Sequence, residues 1–447
     1  MPAPARASAP PTQLPPGPTW PDLIQAIATI QYRPTVMRRL HARYGDVFSV
    51  RMPYGPHGSM VTVVLLADPE HIREVFAGPT DVFHAGEGNA ALLDVMGEHS
   101  LLLLDEEGHV RAKRLLMPAF TARAMDGYRA MVVDLAVEGI DAWPERGNIV
   151  AAERMQAITL EIIIRVIFGI RDGQRLAELR PLVARVAGAG ILDMFGWTYP
   201  VLQRVPPWSR FAAALKRLDQ LLYDEIAERR AAGDVDDRTD LLSRMMRPAA
   251  DGEALTDAEL RDQLVTFLLA GHETTATTLS WVLHELAHRP QMLHRARVAA
   301  ECRDEAGDAV LEAMVKETMR LKPVIFQATR TLTRPVEIAG YTLPAGVVVS
   351  PALGLMGTHA THHDDPLTFN PDRFLGNSPA PNTWIPFGGG PRRCIGATFS
   401  LMESVEILRE ILTRYDIEPR DADEDELRPH SIINAPHRGT RLTVSRR

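Results

Sequence analysis

The chain has 447 residues, 45% hydrophobic and 24% charged, and a formal net charge of −8. These values belong to a globular protein and exclude extended disorder, collagen-like repeats and disulfide-stapled miniproteins. The mildly acidic balance argues against nonspecific nucleic-acid binding, and two cysteines without a CxxC pair, Cys302 and Cys394, argue against a zinc ribbon or disulfide framework.

Residues 1–19 read as a Pro-rich extended leader, because Pro15, Pro16 and Pro18 favour a stiff lead-in over a helix. The leader lacks the apolar core of a signal peptide or membrane anchor. No apolar stretch reaches the roughly 18–20 residues that span a bilayer, so a soluble, cytoplasmic protein is expected. Residues 20–447 are expected to form a single domain, mainly α with a smaller β part (α+β).

Val47–Leu66 alternates around a PYGPHG turn and predicts a hairpin, followed by a short helix over Asp68–Phe76. Gly108–Pro118 reads as a basic helix, Met155–Phe168 as a strongly apolar one and Phe211–Ala232 as a long amphipathic one. The clearest helix starts at Thr256, where Thr256 and Glu259 have capping-box spacing, and stops before Pro290. Such a helix crosses the domain and must be buried, which makes its polar interior Ala270–Thr275 (AGHETT) costly. A helix around Glu312–Leu321, strands at Ala328–Leu332, Val336–Ile338 and Val347–Ser350, and a coil over Asp364–Gly390 follow. A helix from Ile395 to Tyr415 and a hairpin around Ile432–Val444 complete the chain.

Phe387–Gly396 reads FGGGPRRCIG, a glycine-rich loop that sets Cys394 just before a helix. Backbone N–H groups and the helix dipole at such a place can lower a thiol pKa. A small buried cysteine capping a helix is the plainer reading of the same residues. A phosphate cradle is disfavoured because GxGxxG and the P-loop lysine are missing.

The spacing Phe387-x-x-Gly390-x-Arg392-x-Cys394-x-Gly396 resembles the haem-binding signature of the cytochrome P-450 monooxygenases. Three further segments match that family in order: AGHETT of the central helix, Glu317-x-x-Arg320, and FNPDRF at Phe369–Phe374. The resemblance implies a fold with a long central helix over the haem and a cysteine loop under it. It implies haem b (iron protoporphyrin IX) ligated by the Cys394 thiolate, which favours O–O cleavage. Phe387, Gly388 and Gly396 would then pack near sulfur and porphyrin, and Glu317, Arg320 and Arg373 would form a buried triad that positions the loop. Cys302, in a charged stretch without glycines, is expected to be structural or on the surface.

The polar residues of AGHETT are compatible with an ordinary helix whose threonines back-bond to carbonyls. By the same resemblance, the favoured expectation is that Ala270 and Gly271 belong to a locally opened helix that makes room for dioxygen and water. Thr274 hydrogen-bonds the bound oxygen, Glu273 serves the proton relay, and His272 packs against another helix. His109, Lys113, Arg330 and Arg392 would hold the two haem propionates. Arg111, Lys113, Arg114 and Arg393 suggest a basic patch for an acidic ferredoxin or flavodoxin, fed by an NAD(P)H reductase. No nucleotide- or flavin-binding signature occurs in the chain, so the electrons are expected from outside.

Phe83, Phe195, Phe267, Ala270, Ile325 and Ile433 are candidate pocket residues, as are the segments 92–104, 191–197 and 324–328. Their apolar character points to a hydrophobic substrate such as a steroid, terpenoid or fatty acid. Hydroxylation with dioxygen is the leading expectation. A peroxide-driven peroxygenase is disfavoured because Glu273 and Thr274 keep an acid–alcohol pair, and a noncatalytic haem-binding protein is the third reading.

Overall fold

The computed structural model describes residues 14–55, 58–169, 173–189, 193, 200–376, 378–430 and 432–447. Residues 14–19 of the leader run extended beside strand β1 (Val47–Met52). The amide and hydroxyl of Ser49 donate there to the carbonyls of Pro16 at 2.9 Å and Pro15 at 2.8 Å. Residues 1–13 lie outside the described residues.

Helices α1 (Asp22–Gln31) and α2 (Arg33–Tyr44) precede β1, which pairs antiparallel with β2 (Val61–Leu66), Val47 opposite Leu66. The expected hairpin is therefore present. Helix α3 (Pro69–Ala77) starts where Asp68 caps the amides of Glu70 and His71. Strand β3 (Phe83–His84) and the short helices α4 (Ala85–Gly88) and α5 (Leu93–Met96) lead to α6 (Glu106–Leu116), the expected basic helix.

Helices α7 (Ala122–Asp141) and α8 (Ala151–Phe168) flank β4 (Arg146–Val150), and α9 (Gly173–Ala187), α10 (Trp208–Ala232) and α11 (Leu241–Met246) follow. The central helix α12 (Asp257–Ala287) has 31 residues, about 46 Å at 1.5 Å per residue. Its capping box is formed: Thr256 Oγ1 accepts from the Glu259 amide at 3.2 Å and Glu259 Oε2 accepts from the Thr256 amide at 2.7 Å. The apolar residues of α12 then divide between two cores. Leu279, Leu283 and Leu286 pack with α7, α8 and α16 (Ala397–Arg414), while Leu260, Leu264 and Leu268 pack with α8, α9 and α10.

Helices α13 (Pro290–Cys302) and α14 (Glu305–Leu321) lead to β5 (Arg330–Leu332), the two-stranded β6 (Val336–Ile338) and β7 (Tyr341–Leu343), and β8 (Val348–Pro351). One sheet runs β1-β2-β8-β5-β3, with β2 and β8 parallel. The short helix α15 (Leu353–Met356) follows β8. Within the expected coil, Pro371–Phe374 forms a 3-10 turn.

The C-terminus departs from the expected hairpin. Strand β11 (Ile433–Pro436) pairs with β10 (Leu427–His430), whereas β12 (Arg441–Arg446) lies between β4 and β9 (Tyr415–Pro419). The chain turns away at Gly439, which has φ +72°. The Asp425 carboxylate there collects the amides of Glu426, Arg438 and Thr440 and holds the turn in place.

Glu317 and Arg320 of α14 are buried and paired twice, at 2.7 Å for each oxygen. Arg373 Nε lies 3.5 Å from Glu317 Oε1, and Arg320 also donates to the carbonyls of Gly357, Pro366 and Thr368. One buried guanidinium thus organises the coil that precedes the cysteine loop. A buried pair satisfied this fully is costly to break from either side.

Candidate active site

The glycine loop closes on itself through backbone bonds. The Cys394 amide donates to the Phe387 carbonyl at 2.9 Å, and the Arg393 amide to the Gly390 carbonyl at 3.1 Å. Gly388 and Gly390 take φ +66° and +63°, a conformation that other residues adopt only at a cost. A Cβ at Gly390 would overlap the Phe76 carbonyl, whereas one at Gly388 or Gly396 would project into open space. An edge-to-face series, Phe374–Trp384 at 5.5 Å and Trp384–Phe387 at 6.1 Å, ties the loop to α14, where Trp384 Nε1 donates to the Lys316 carbonyl at 3.2 Å.

Cys394 lines a cavity of about 480 Å³ and is exposed there, at the cavity wall. Burial pushes its thiol up, and the Gly396 amide, Arg393 and Lys113 act in the opposite direction. The loop alone therefore does not produce the lowered pKa expected of a helix start, because loss of water outweighs the donors. Cys302 is exposed and lies outside the cavity.

Five basic residues line this cavity: His109 and Lys113 from α6, Arg330 from β5, and Arg392 and Arg393 from the loop. Burial, then Arg392 and Lys113, hold the His109 pKa down to about 4. Burial and Arg392 bring Arg330 down to about 10. Lys113 is lowered by burial and Arg392, and its ammonium donates to the Pro391 carbonyl. Asp105 is the acid that answers them, paired with Arg392. Lys113, Arg330 and Arg392 are mutually repelling cations that create a site for an anionic group, and His109, neutral near pH 7, adds a hydrogen-bonding imidazole beside them.

Helix α12 also reaches the cavity, with Phe267, Ala270, Gly271, Glu273 and Thr274 lining it. The helix is unbroken through Ala270–Thr275, contrary to the expected local opening. Thr274 Oγ1 instead donates to the Ala270 carbonyl at 2.8 Å, and Thr278 Oγ1 to the Thr274 carbonyl at 2.9 Å, so back-bonding absorbs the hydroxyls. Gly271 has a packing reason as well. A Cβ there would come within 2.8 Å of Ile163 Cδ1 on α8. His272 is buried and its carbonyl accepts from Thr159 Oγ1 of α8 at 3.1 Å, so it packs between helices. Burial lowers the His272 pKa to about 4 and raises that of Glu273 to about 7.

Among the pocket candidates, Phe267, Ala270, Ile325 and Ile433 line the cavity. Phe83 does not. It sits in β3 opposite Leu332, in the core formed by Val75, Phe76 and Val82, because the strand turns its ring toward the sheet. Phe195 lies outside the described residues, as does most of 191–197. The basic patch is also corrected. Arg111 pairs with Glu253 and Glu259, and Arg114 with Asp251 and Glu253, so their charge is spent inside the molecule. Arg393 remains exposed on the loop.

Two residues escaped the sequence reading. Asp105 carries no motif, and its role emerges only when α4 and the cysteine loop meet at its carboxylate. Glu403 of α16 is buried, with neither carboxylate oxygen hydrogen-bonded among the described residues. Burial pushes it up to about 8, and Thr275 opposes this. An acid inside the apolar stripe SLMESVEIL was the available signal.

The family model for cytochrome P-450 matches residues 14–442. Cytochrome P-450 135A1 of Mycobacterium tuberculosis is 44% identical over 435 residues, 97% of this chain and 95% of that one. Cytochrome P-450 135B1 of Mycobacterium bovis is 41% identical over 435 residues, 96% of this chain and 91% of that one. A solved structure titled retinoic acid bound cyanobacterial CYP120A1 superposes with a TM-score of 0.83 at 20% identity, covering 98% of this chain and all of that one. The chain belongs to the cytochrome P-450 family and is a haem monooxygenase with that family's mixed α+β fold.

Proposed function

We propose that Cys394, as thiolate, is the axial ligand of haem b, and that residues 20–447 act as one haem-binding domain hydroxylating a hydrophobic small molecule. The carrying observation is the convergence on one cavity of a single cysteine, Cys394, and five basic residues, His109, Lys113, Arg330, Arg392 and Arg393. This donor set fits the group. The sulfur suits the iron, and His109, Lys113, Arg330 and Arg392 suit two propionates. Gly388 and Gly396 leave open space where a flat ring needs close approach of the backbone. When bound, the haem supplies reductive activation of dioxygen and insertion of one oxygen atom into a C–H bond.

The chain's own residues do the rest. The Gly396 amide hydrogen-bonds the sulfur and moderates its basicity. Glu273, with its pKa raised to about 7, holds or yields a proton near neutrality at the cavity wall. Thr274, one residue on, presents a hydroxyl that passes the proton inward on release from the Ala270 carbonyl. Retention of this acid–alcohol pair favours dioxygen over peroxide as oxidant.

Substrate binding rests on Phe267, Ala270, Ile325 and Ile433, whose apolar faces select an aliphatic or polycyclic compound of steroid, terpenoid or fatty-acid type. Electrons come from a ferredoxin or flavodoxin with its NAD(P)H reductase, which places the enzyme in the cytoplasm. No helix among the described residues is long and apolar enough to cross a membrane.

The reduced carbon monoxide complex tests the ligation. Its Soret band is expected at the position typical of thiolate coordination, and Cys394→His is expected to move it to that of imidazole. A wild-type band of the imidazole type would refute the assignment. Screening apolar compounds for a low- to high-spin change then tests the substrate class.

A further inference from the structure

We propose a divalent transition-metal site at His41, Asp46 and His359, on the sheet-bearing part of the molecule and apart from the cavity. His41 Nε2 lies 2.7 Å from Asp46 Oδ1, and His359 Nε2 lies 2.8 Å from that same oxygen. The three potential ligand atoms all fall within 4.8 Å of one another. Two imidazole nitrogens and one carboxylate oxygen are a donor set for zinc and its first-row neighbours, and are poorly suited to magnesium or calcium.

The three side chains come from separate segments that the fold holds rigidly. His41 is in the last turn of α2, and its carbonyl accepts from the Gly45 amide at 2.8 Å, where Gly45 takes φ +84°. The Asp46 carbonyl accepts from the Ala67 amide at 2.9 Å, which pins the loop to the end of β2. His359 follows α15, and its ring packs against that of His362 at 4.8 Å. The His41 and His359 rings lie 5.2 Å apart at 58°. The geometry is therefore preorganised before any ion arrives, and Asp46, 42% exposed, leaves one side open to water.

Without metal, two N–H groups point at one oxygen. Metal binding replaces them: each Nε2 presents its lone pair, and its proton leaves to water or returns at Nδ1. For His359 this opens the contact in which Nδ1 accepts the Thr361 amide at 3.2 Å, a cost confined to an exposed turn. Three protein ligands leave a fourth position for water. The bound ion would fasten α2 to the turn after α15, joining parts of the chain more than 300 positions apart.

The test uses tag-free holoenzyme cleared of metal by chelator and titrated calorimetrically with zinc. One equivalent per chain is expected, with a rise in Tm. Asp46→Asn and His359→Gln are expected to weaken binding at least tenfold and to abolish the rise, while His437→Gln on the exposed surface leaves both unchanged. X-ray absorption at the zinc edge should show two imidazoles at about 2.0–2.1 Å. His41→Gln supplies an independent variant if either of the others fails to retain haem. No saturable binding, or binding unchanged in every cluster variant, overturns the site.

Discussion

Arg392, two residues before Cys394, pairs with Asp105, the residue that also collects the start of α4. Asp105 Oδ1 accepts the amides of Ala85 at 2.8 Å and Gly86 at 2.9 Å, and Oδ2 accepts that of Glu87 at 3.1 Å. Arg392 also donates to the carbonyls of Leu101 at 3.1 Å and Leu104. The cysteine loop is thus bolted to a segment nearly 300 residues earlier, and one cation wall of the cavity depends on that bolt.

Asp105→Ala strands Arg392 and three backbone amides together. Loss of one partner of a buried ion pair typically costs about 3–5 kcal/mol. The partial exposure of this pair places the expectation at the lower end. Denaturant unfolding of the holoenzyme should show it, with haem lost on gel filtration. Asp105→Asn retains an acceptor and should fall between. An alanine variant as stable as wild type would mean that the pair does not hold the loop.

Much of this was legible because the signals were local. The capping box of Thr256 and Glu259, the short helix after Asp68 and the glycine loop each need only a few consecutive residues, and all are formed. What stayed hidden depended on partners far away in the chain. Arg111 and Arg114 read as free cations until Asp251, Glu253 and Glu259 arrive beside them, and Phe83 read as a pocket residue until β3 paired with β5. The polar interior of α12 allows both an opening and threonine back-bonding, and spacing does not choose between them; the helix takes the second. Strand β12 likewise shows no sequence preference for β4 and β9 over its nearer neighbour β11.

Gly271→Ala should be destabilising for steric reasons. The added Cβ would sit within 2.8 Å of Ile163 Cδ1, and forcing a methyl into a packed helix interface costs typically 1–3 kcal/mol, against a gain of about 1 kcal/mol in helix propensity. Ile163→Val in the same chain removes the offending carbon. A double-mutant cycle should therefore give a favourable coupling of about 1 kcal/mol. Strict additivity of the two changes would show that close approach of α8 is not what the glycine serves.

Charge reversal separates the two kinds of arginine on the cysteine side. Arg393→Glu should raise the Michaelis constant for the reductant several-fold, and more at low than at high salt, because Arg393 is exposed beside the cysteine. Arg111→Glu should act mainly on stability, since it sets a third acid against Glu253 and Glu259. A larger salt-dependent kinetic effect at Arg111 than at Arg393 would reverse this assignment.

Glu273 links pH to both stability and turnover. Burial raises its pKa from 4.5 to about 7, so between those values the folded chain keeps a proton that the unfolded chain has lost. Stability from this group therefore falls as pH rises across that window and levels off above about 7. Glu273→Gln, neutral throughout, should flatten that slope, most clearly when urea midpoints at pH 5 and pH 8 are compared. His272, lowered by burial from 6.5 to about 4, works the other way: between those values the unfolded chain holds the proton, so its contribution to stability rises with pH. It partly offsets that of Glu273, which is why the difference between wild type and Glu273→Gln is the quantity to read. The same substitution removes a proton donor and acceptor from the cavity wall. Loss of a positioned acid–base group costs about 10²–10⁴ in rate, and the turnover profile should lose its limb near pH 7. A variant that keeps both the slope and the limb would assign the titration to another group, with Glu403, buried and raised to about 8, the next to replace.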